Sequence, residues 1–356
     1  MTGRLTRRKV LAVGAQALAA GAAGSFATLV QAAPPAEAVT PELIEAAKKE
    51  GRVTWYTSVD LPLAEKVAKA FEAKYPGVAL RVERSGAERN FQRISQEHAS
   101  KIANCDVVNS SDAAHLIIWK REGMLAPYVP EDVARDFPDV HKDPDGMYSS
   151  WRVTVCPMGY NTGLVKAEDA PKSYADLVDP KWSGKIAKAH PGYSGTIMTS
   201  TQQLSRDLGW PWFEKLARLR VMQVQSAIEP PKKVAAGERA LMADGTEYGV
   251  VEMKKLGEPI EVIYPAEGCP LITSPSGVMA HAPNPHAARL FQSWSMSAEG
   301  QQLNVDLGAL RSAHRRVRDR SDMVKFSDVK TMREDAAAVV DQADEIKARY
   351  VKLFRV

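Results

Sequence analysis

The sequence predicts an α/β protein of two lobes with a cleft between them. Three observations carry this. Strand and helix patterns alternate three times between Arg52 and Arg121, the signature of a parallel sheet covered by helices on both faces. A second α/β region of similar size begins near Ser149. From Gly277 an extended segment and a helix return to the first region, which suggests two lobes with a cleft between them.

The elements follow from local chemistry. Thr40-Pro41-Glu42-Leu43 supplies a capping hydroxyl, a proline at the first helical position and an acid in the first turn, and Gly51 after Lys48-Lys49 stops that helix. Arg52 to Thr57 is β-branched and aromatic, hence a strand. Leu63, Val67, Ala70 and Phe71 recur at helical spacing over residues 61–75, ending before Pro76-Gly77. Val78 to Glu83 reads as a strand, and 87–100 as a helix with Phe91, Ile94 and His98 on one side. Cys105 to Val108 is a short apolar strand, and Asn109 to Asp112 caps the helix that runs to Arg121. In the second region Ser150 to Pro157 is extended, Tyr160 to Gly163 a turn, Tyr174 to Leu177 a helical start and Gly184 to Ala189 a strand. Helices are expected over 198–208, 210–219 and 232–243, and strands over 221–225 and 261–264. Gly277 to Ala280 is extended, and Asn284 to Met296 is a helix opening on Pro285. The charged tail over 322–354 is expected to be helical and to lie on the outside of one lobe.

The opening residues set the compartment. Arg4, Arg7, Arg8 and Lys9 precede a run rich in Ala and Gly that is free of charge until Glu37, and small-residue cleavage patterns end at Ala32 and at Ala38. This is a bacterial export signal spanning residues 1–38, and its paired arginines point to the twin-arginine route, although Val10 stands where Phe is usual. The signal carries four basic residues and one acidic, so only about +1 of the chain's formal +4 belongs to residues 39–356. A near-neutral mature chain argues against a nucleic-acid partner. Beyond the signal no apolar run is long enough to span a bilayer. Three cysteines without short spacing allow one disulfide at most and read as buried small hydrophobes.

Catalytic motifs are absent: no Gly-x-Ser-x-Gly, no phosphate-binding loop ending in Gly-Lys-Ser or Gly-Lys-Thr, no His-Glu-x-x-His and no Cys-x-x-Cys. No cofactor is implied. Small polar residues recur instead at strand ends: Thr57-Ser58, Arg84-Ser85-Gly86, Ser110-Ser111, Tyr193-Ser194-Gly195-Thr196 and Ser226. Ligands of open α/β sheets bind outside the carboxyl ends of the strands, and helix N-termini there offer NH and OH donors to an anion. Each loop taken singly reads as well as a helix cap; five together point to one cleft.

In order along the chain, these residues resemble a known family. Glu50 to Thr57, Cys105 to Asp112, Gly123 to Tyr128, Gly159 to Thr162, Ser173 to Lys185, Pro191 to Thr196, Tyr264 to Gly268, Pro283 to Phe291 and Ser297 to Gln301 are similar to the solute-binding proteins of ABC importers. The likeness is to the type 2 periplasmic-binding fold, in the branch that includes ferric-ion-binding proteins, and it covers roughly residues 41–316. The resemblance implies two lobes, each a mixed sheet flanked by helices, closing on a solute about hinge strands near 150–157 and 271–278. It implies lobe 1 over 39–150 with 276–316, lobe 2 over 151–275 and a helical tail over 317–356. It also implies a periplasmic, non-enzymatic, monomeric protein whose partners are a small-molecule solute and an inner-membrane permease.

The solute is narrowed by a departure from that branch. Iron carriers of the branch offer tyrosinates, often two adjacent; this chain has ten tyrosines and no Tyr-Tyr pair. Val59-Asp60-Leu61 in the first loop holds neither His nor Tyr, leaving Tyr56, Tyr193, Glu247 and Tyr248 as the plausible iron set. The preferred reading is a small organic solute with a phosphate, phosphonate or carboxylate group. Arg84 and Arg152 with serine hydroxyls suit such an anion. Glu247 and Tyr248 are expected to meet its far end, and Trp151 to stack on it. Ferric iron is the alternative. An enzyme on the same fold, with Cys156 or Glu247 in the chemistry, is a remote one, and a lobe feeding a sensor shares the fold and differs in partner.

Overall fold

The computed structural model describes residues 33–356; the arginine pair, the apolar run and Ala32 lie outside the described residues. The described residues hold two five-stranded mixed sheets: in the first, the strands beginning at residues 79, 52, 107, 271 and 149 lie side by side in that order, and in the second those beginning at residues 222, 186, 241, 158 and 260.

In the first lobe the predicted alternation holds. Helix α1 (Pro41–Glu50) is capped by Thr40, whose hydroxyl accepts the Leu43 amide, and ends at Gly51 in the left-handed conformation. Strand β1 (Arg52–Thr57), α2 (Leu61–Lys74), β2 (Ala79–Arg84), α3 (Ala87–Ala99), β3 (Val107–Asn109) and α4 (Ala113–Arg121) follow. Strand β1 is parallel to β2 and β3, so all three carboxyl ends share one edge. After α5 (Glu131–Asp136), β4 (Ser149–Val155) reaches the far side of this sheet.

The chain then enters the second sheet as β5 (Met158–Asn161), so the turn expected over Tyr160–Gly163 begins only at Thr162. It continues through α6 (Tyr174–Leu177), β6 (Ile186–Ala189), α7 (Gly195–Asp207), α8 (Trp210–Arg218), β7 (Met222–Val224) and α9 (Glu229–Ala235). Strand β8 (Leu241–Met242), α10 (Glu247–Lys255) and β9 (Ile260–Ile263) complete it. A single helix over 232–243 does not form: Gly237 adopts a φ of +74°, ending the helix and releasing Leu241-Met242 to the middle of the sheet. Strand β10 (Leu271–Val278) returns to the first sheet, antiparallel to both β3 and β4. Helices α11 (Pro285–Met296) and α12 (Ala298–Gly308) cover that sheet.

Each lobe has its own core. In the first, Trp55, Phe71, Phe291 and Trp294 pack with ring centroids 5.3–5.4 Å apart along the chain of contacts. In the second, Tyr174, Trp212 and Phe213 form a corresponding cluster. The tail departs from expectation. Residues 317–335 are mostly irregular, and α13 (Ala336–Phe354) touches α4 of the first lobe and both α7 and α8 of the second, rather than one lobe alone. The three cysteines are buried free thiols. The Cys156 amide donates to the Pro270 carbonyl at 3.0 Å, just beyond the β4–β10 pairing.

Candidate functional site

The parallel strands of both lobes deliver their carboxyl ends to one cavity of about 150 Å³. From the first lobe Ser58 follows β1, Arg84 ends β2, Gly86 caps α3 and Ser111 follows β3. From the second, Tyr193, Ser194 and Thr196 follow β6, Ser226 follows β7 and Tyr248 opens α10 after β8. Arg152 enters from β4, in the strand pair that runs between the lobes. The lobes touch here: the Thr199 hydroxyl lies 3.4 Å from the Asp112 carboxylate, and a Cβ on Gly195 would come within 2.6 Å of the Asp112 Cβ.

Charge within the cavity is unbalanced. Arg152 is 2% exposed, its Nε and Nη1 have no hydrogen-bond partner, and its guanidinium sits 5.7 Å from the centre of the Tyr248 ring. Arg84 donates only to the Val59 carbonyl, at 3.2 Å, and belongs to none of the ion pairs among the described residues. Arg89, in the first turn of α3, also lines the cavity. The acids at the wall are already engaged. Glu88 meets His115 Nε2 at 3.1 Å and Lys347 Nζ at 3.0 Å. Burial would raise its pKa, yet those two partners hold it down at about 2. Glu229 accepts the Ser226 amide at 2.9 Å. The Ser58 hydroxyl is buried without a partner, and Ser194 caps α7 by accepting the Ile197 amide. Burial pushes the Tyr248 hydroxyl above its ordinary pKa, with Arg152 opposing. The arrangement is a donor-rich pocket with surplus positive charge, fit to bind an anion.

Six expected residues do not line the cavity. Thr57 is buried, its hydroxyl donating to Asn109 Oδ1 and accepting the Val59 amide. Ser85 continues the β1 pairing through its amide, and Ser110 bonds His115 Nδ1 at 2.9 Å. Gly195 serves the lobe contact instead. Trp151 packs against Trp55, ring centres 5.4 Å apart, in the first core. Glu247 is held by Arg311 in a bidentate pair, both bonds at 2.7 Å, and accepts the Tyr264 hydroxyl. The iron set is therefore not assembled: Tyr193 and Tyr248 line the cavity, whereas Tyr56 bonds Glu97 and Glu247 is spent on Arg311. Cys156 is buried, which raises its thiol well above the usual range and removes it as a nucleophile. Sequence reasoning missed Glu88, Arg89 and Glu229. The signal was there: α3 begins directly after Gly86, which places its first-turn side chains at the cleft.

These features define a two-lobed binding protein. The sequence profile of the bacterial extracellular solute-binding proteins matches residues 66–331, and the chain belongs to that family. It is therefore a solute-binding protein and not an enzyme. A relative in Sinorhizobium fredii, 24% identical over 65% of this chain and 66% of that one, is described as a probable ABC transporter periplasmic-binding protein. A protein of Haemophilus influenzae without an assigned function is 27% identical over 271 residues, covering 72% of this chain and 76% of that one. Iron uptake protein A1 of Synechocystis is 26% identical over 242 residues, covering 63% and 66%. Among solved structures, periplasmic binding protein AfuA of Actinobacillus pleuropneumoniae, with fructose-6-phosphate bound, is similar at a TM-score of 0.78 and 24% identity, over 86% of this chain and 99% of that one. Iron-bound HitA of Pseudomonas aeruginosa is similar at 0.74 and 22%, over 84% and 99%. At these identities the structural likeness establishes the fold, with sugar-phosphate and iron binders alike among the neighbours.

Proposed function

We propose that this protein captures a small organic solute bearing a phosphate, phosphonate or carboxylate group and delivers it, as a monomer, to an inner-membrane permease. One observation carries the reading: a buried guanidinium, that of Arg152, faces the cavity with two nitrogens unpartnered. Native structures leave few buried polar groups unpaired, and a charged one is costly, so its partner is the expected ligand. Arg84 and Arg89 add two further cations, which favours a dianion such as a phosphate monoester over a monocarboxylate. Solute-binding function of the family and the fructose-6-phosphate on a structural neighbour agree with this. Ferric iron, bound by other neighbours, is the second reading and has Tyr193 and Tyr248 in its favour. A hard trivalent ion needs more anionic oxygens than these two, and three guanidiniums oppose it. The cavity takes Ser58, Arg84, Gly86, Ser111, Arg152, Tyr193, Ser194, Thr196, Ser226 and Tyr248 as ligand-binding residues, with lobes and tail divided at about 150, 275 and 316.

Export to the periplasm by the twin-arginine route belongs to the same proposal. Cleavage after Ala32 fits better than after Ala38, because Glu37 is part of the fold: its amide donates to Val129 and its carbonyl accepts from Glu131. Thermal melts of residues 33–356 against phosphate monoesters, phosphonates, carboxylates and Fe³⁺ test the solute class. An anion at 100 times its dissociation constant adds about 2.7 kcal/mol. A tyrosinate charge-transfer band with Fe³⁺, and no melt shift with any organic anion, would replace this reading by the iron one.

A further inference from the structure

We propose that the C-terminal helix α13 is a latch for the arrangement in which the lobes touch, and that Lys347 is the residue through which it reaches the cleft. The inference holds whatever the solute.

The helix is anchored unequally. On the second lobe Tyr350 is fully buried, donates to Gln223 Oε1 at 2.8 Å and packs its ring 5.0 Å from that of His190. Arg349 lies 4.4 Å over the Trp210 ring, and Arg206 of α7 donates to the Arg333 carbonyl at 2.8 Å. On the first lobe the hold is slighter. Ala114 of α4 shares an apolar cluster with Val339 and Ile346, and Lys347 pairs with Glu88. When the lobes part, the weaker attachment yields, so α13 travels with the second lobe and the Lys347–Glu88 pair breaks.

That pair is unlike a surface ion pair of little worth. Glu88 is 13% exposed in its side chain and is fixed from behind by His115, whose other ring nitrogen meets Ser110 and whose ring stacks on Phe91 at 4.5 Å. The carboxylate is therefore preset on the first lobe and needs no ordering to receive Lys347. Glu88 also lines the solute cavity. Lys347 thus joins the lobes and cancels a negative charge at the wall of an anion-seeking cleft, without itself lining it. It is a positioning residue, and its effect is on the balance between joined and parted lobes.

The test uses residues 33–356 with no ligand added. Spin labels at Val140→Cys and Leu256→Cys, exposed sites on the first and second lobes, report the lobe separation, since the three native thiols are buried. Pulsed electron double resonance would compare the parent with Lys347→Met and Lys347→Arg, with circular dichroism recording the fold of each. The latch predicts that Lys347→Met lowers the ratio of near to far separations at least threefold, and that Lys347→Arg restores it. An unchanged distribution in Lys347→Met overturns the proposal. So does an equal opening in both variants, which would place the hold in packing rather than charge. Should Lys347→Met lose its fold, Glu88→Gln takes its place, with the same threefold fall expected and an unchanged ratio overturning the latch.

Discussion

The guanidinium of Arg152 rests 5.7 Å from the centre of the Tyr248 ring, buried, with Nε and Nη1 unpartnered. An aromatic face attracts a cation but does not replace hydrogen bonds to it. On the proposed reading, this unpaired charge is a cost that a bound anion would remove. Arg152→Met is expected to raise the stability of the empty protein, because it removes a buried charge that has no paired partner. It is expected at the same time to abolish any melt shift by an anion. Urea unfolding of the two proteins reads the first effect; a loss of stability would place the guanidinium in a structural role.

The Glu247–Arg311 pair shows the opposite case, a buried charge fully met. Both side chains are at most 3% exposed, and Arg311 stands on the segment that follows α12 while Glu247 opens α10. Arg311→Met would strand a buried carboxylate and is expected to cost about 3–5 kcal/mol in urea unfolding. Adding Glu247→Gln should recover much of that loss, because the stranded charge is gone.

Gly195 tests the contact between the lobes. A Cβ there would meet the Asp112 Cβ at 2.6 Å and the Ala87 Cβ at 3.3 Å, both on the opposite lobe. Gly195→Val is expected to lower solute affinity at least tenfold and to enlarge the radius of gyration in solution scattering, with the unfolding midpoint little changed. Unaltered affinity would mean that solute is held without this contact.

Acid sensitivity follows from Glu88. Its pKa in the fold, about 2, lies below the ordinary 4.5, so its contribution to stability is present above pH 4.5 and is lost as the pH falls toward 2. In Lys347→Met the depression shrinks and the acid limb of the stability profile should flatten between those values. Stability profiles of the two proteins that superimpose below pH 4.5 would remove Lys347 from the account.

Much of this architecture was legible because its signals are local. Thr40, Pro41 and Gly51 bracket α1, and the β-branched run after Gly51 is β1. The rule that ligands gather at strand ends singled out loops that the fold brings to one cavity. What was not legible depended on distant partners. Glu247 and Trp151 carry no local mark of Arg311 or Trp55, far along the chain, which claim them. The apolar spacing of 232–243 fits a helix until Gly237 breaks it. The tail's charged face gave no hint that it would span two lobes, since that requires α4 and α7 to stand side by side.

The central claim, an anion site built around arginine, is most directly tested by calorimetric titration of the anion that gives the largest melt shift into the parent, Arg152→Ala and Arg84→Ala proteins. The account predicts one site per chain in the parent, a loss of at least a hundredfold in affinity with Arg152→Ala and a smaller loss with the more exposed Arg84→Ala. Affinity left intact in both variants would contradict it.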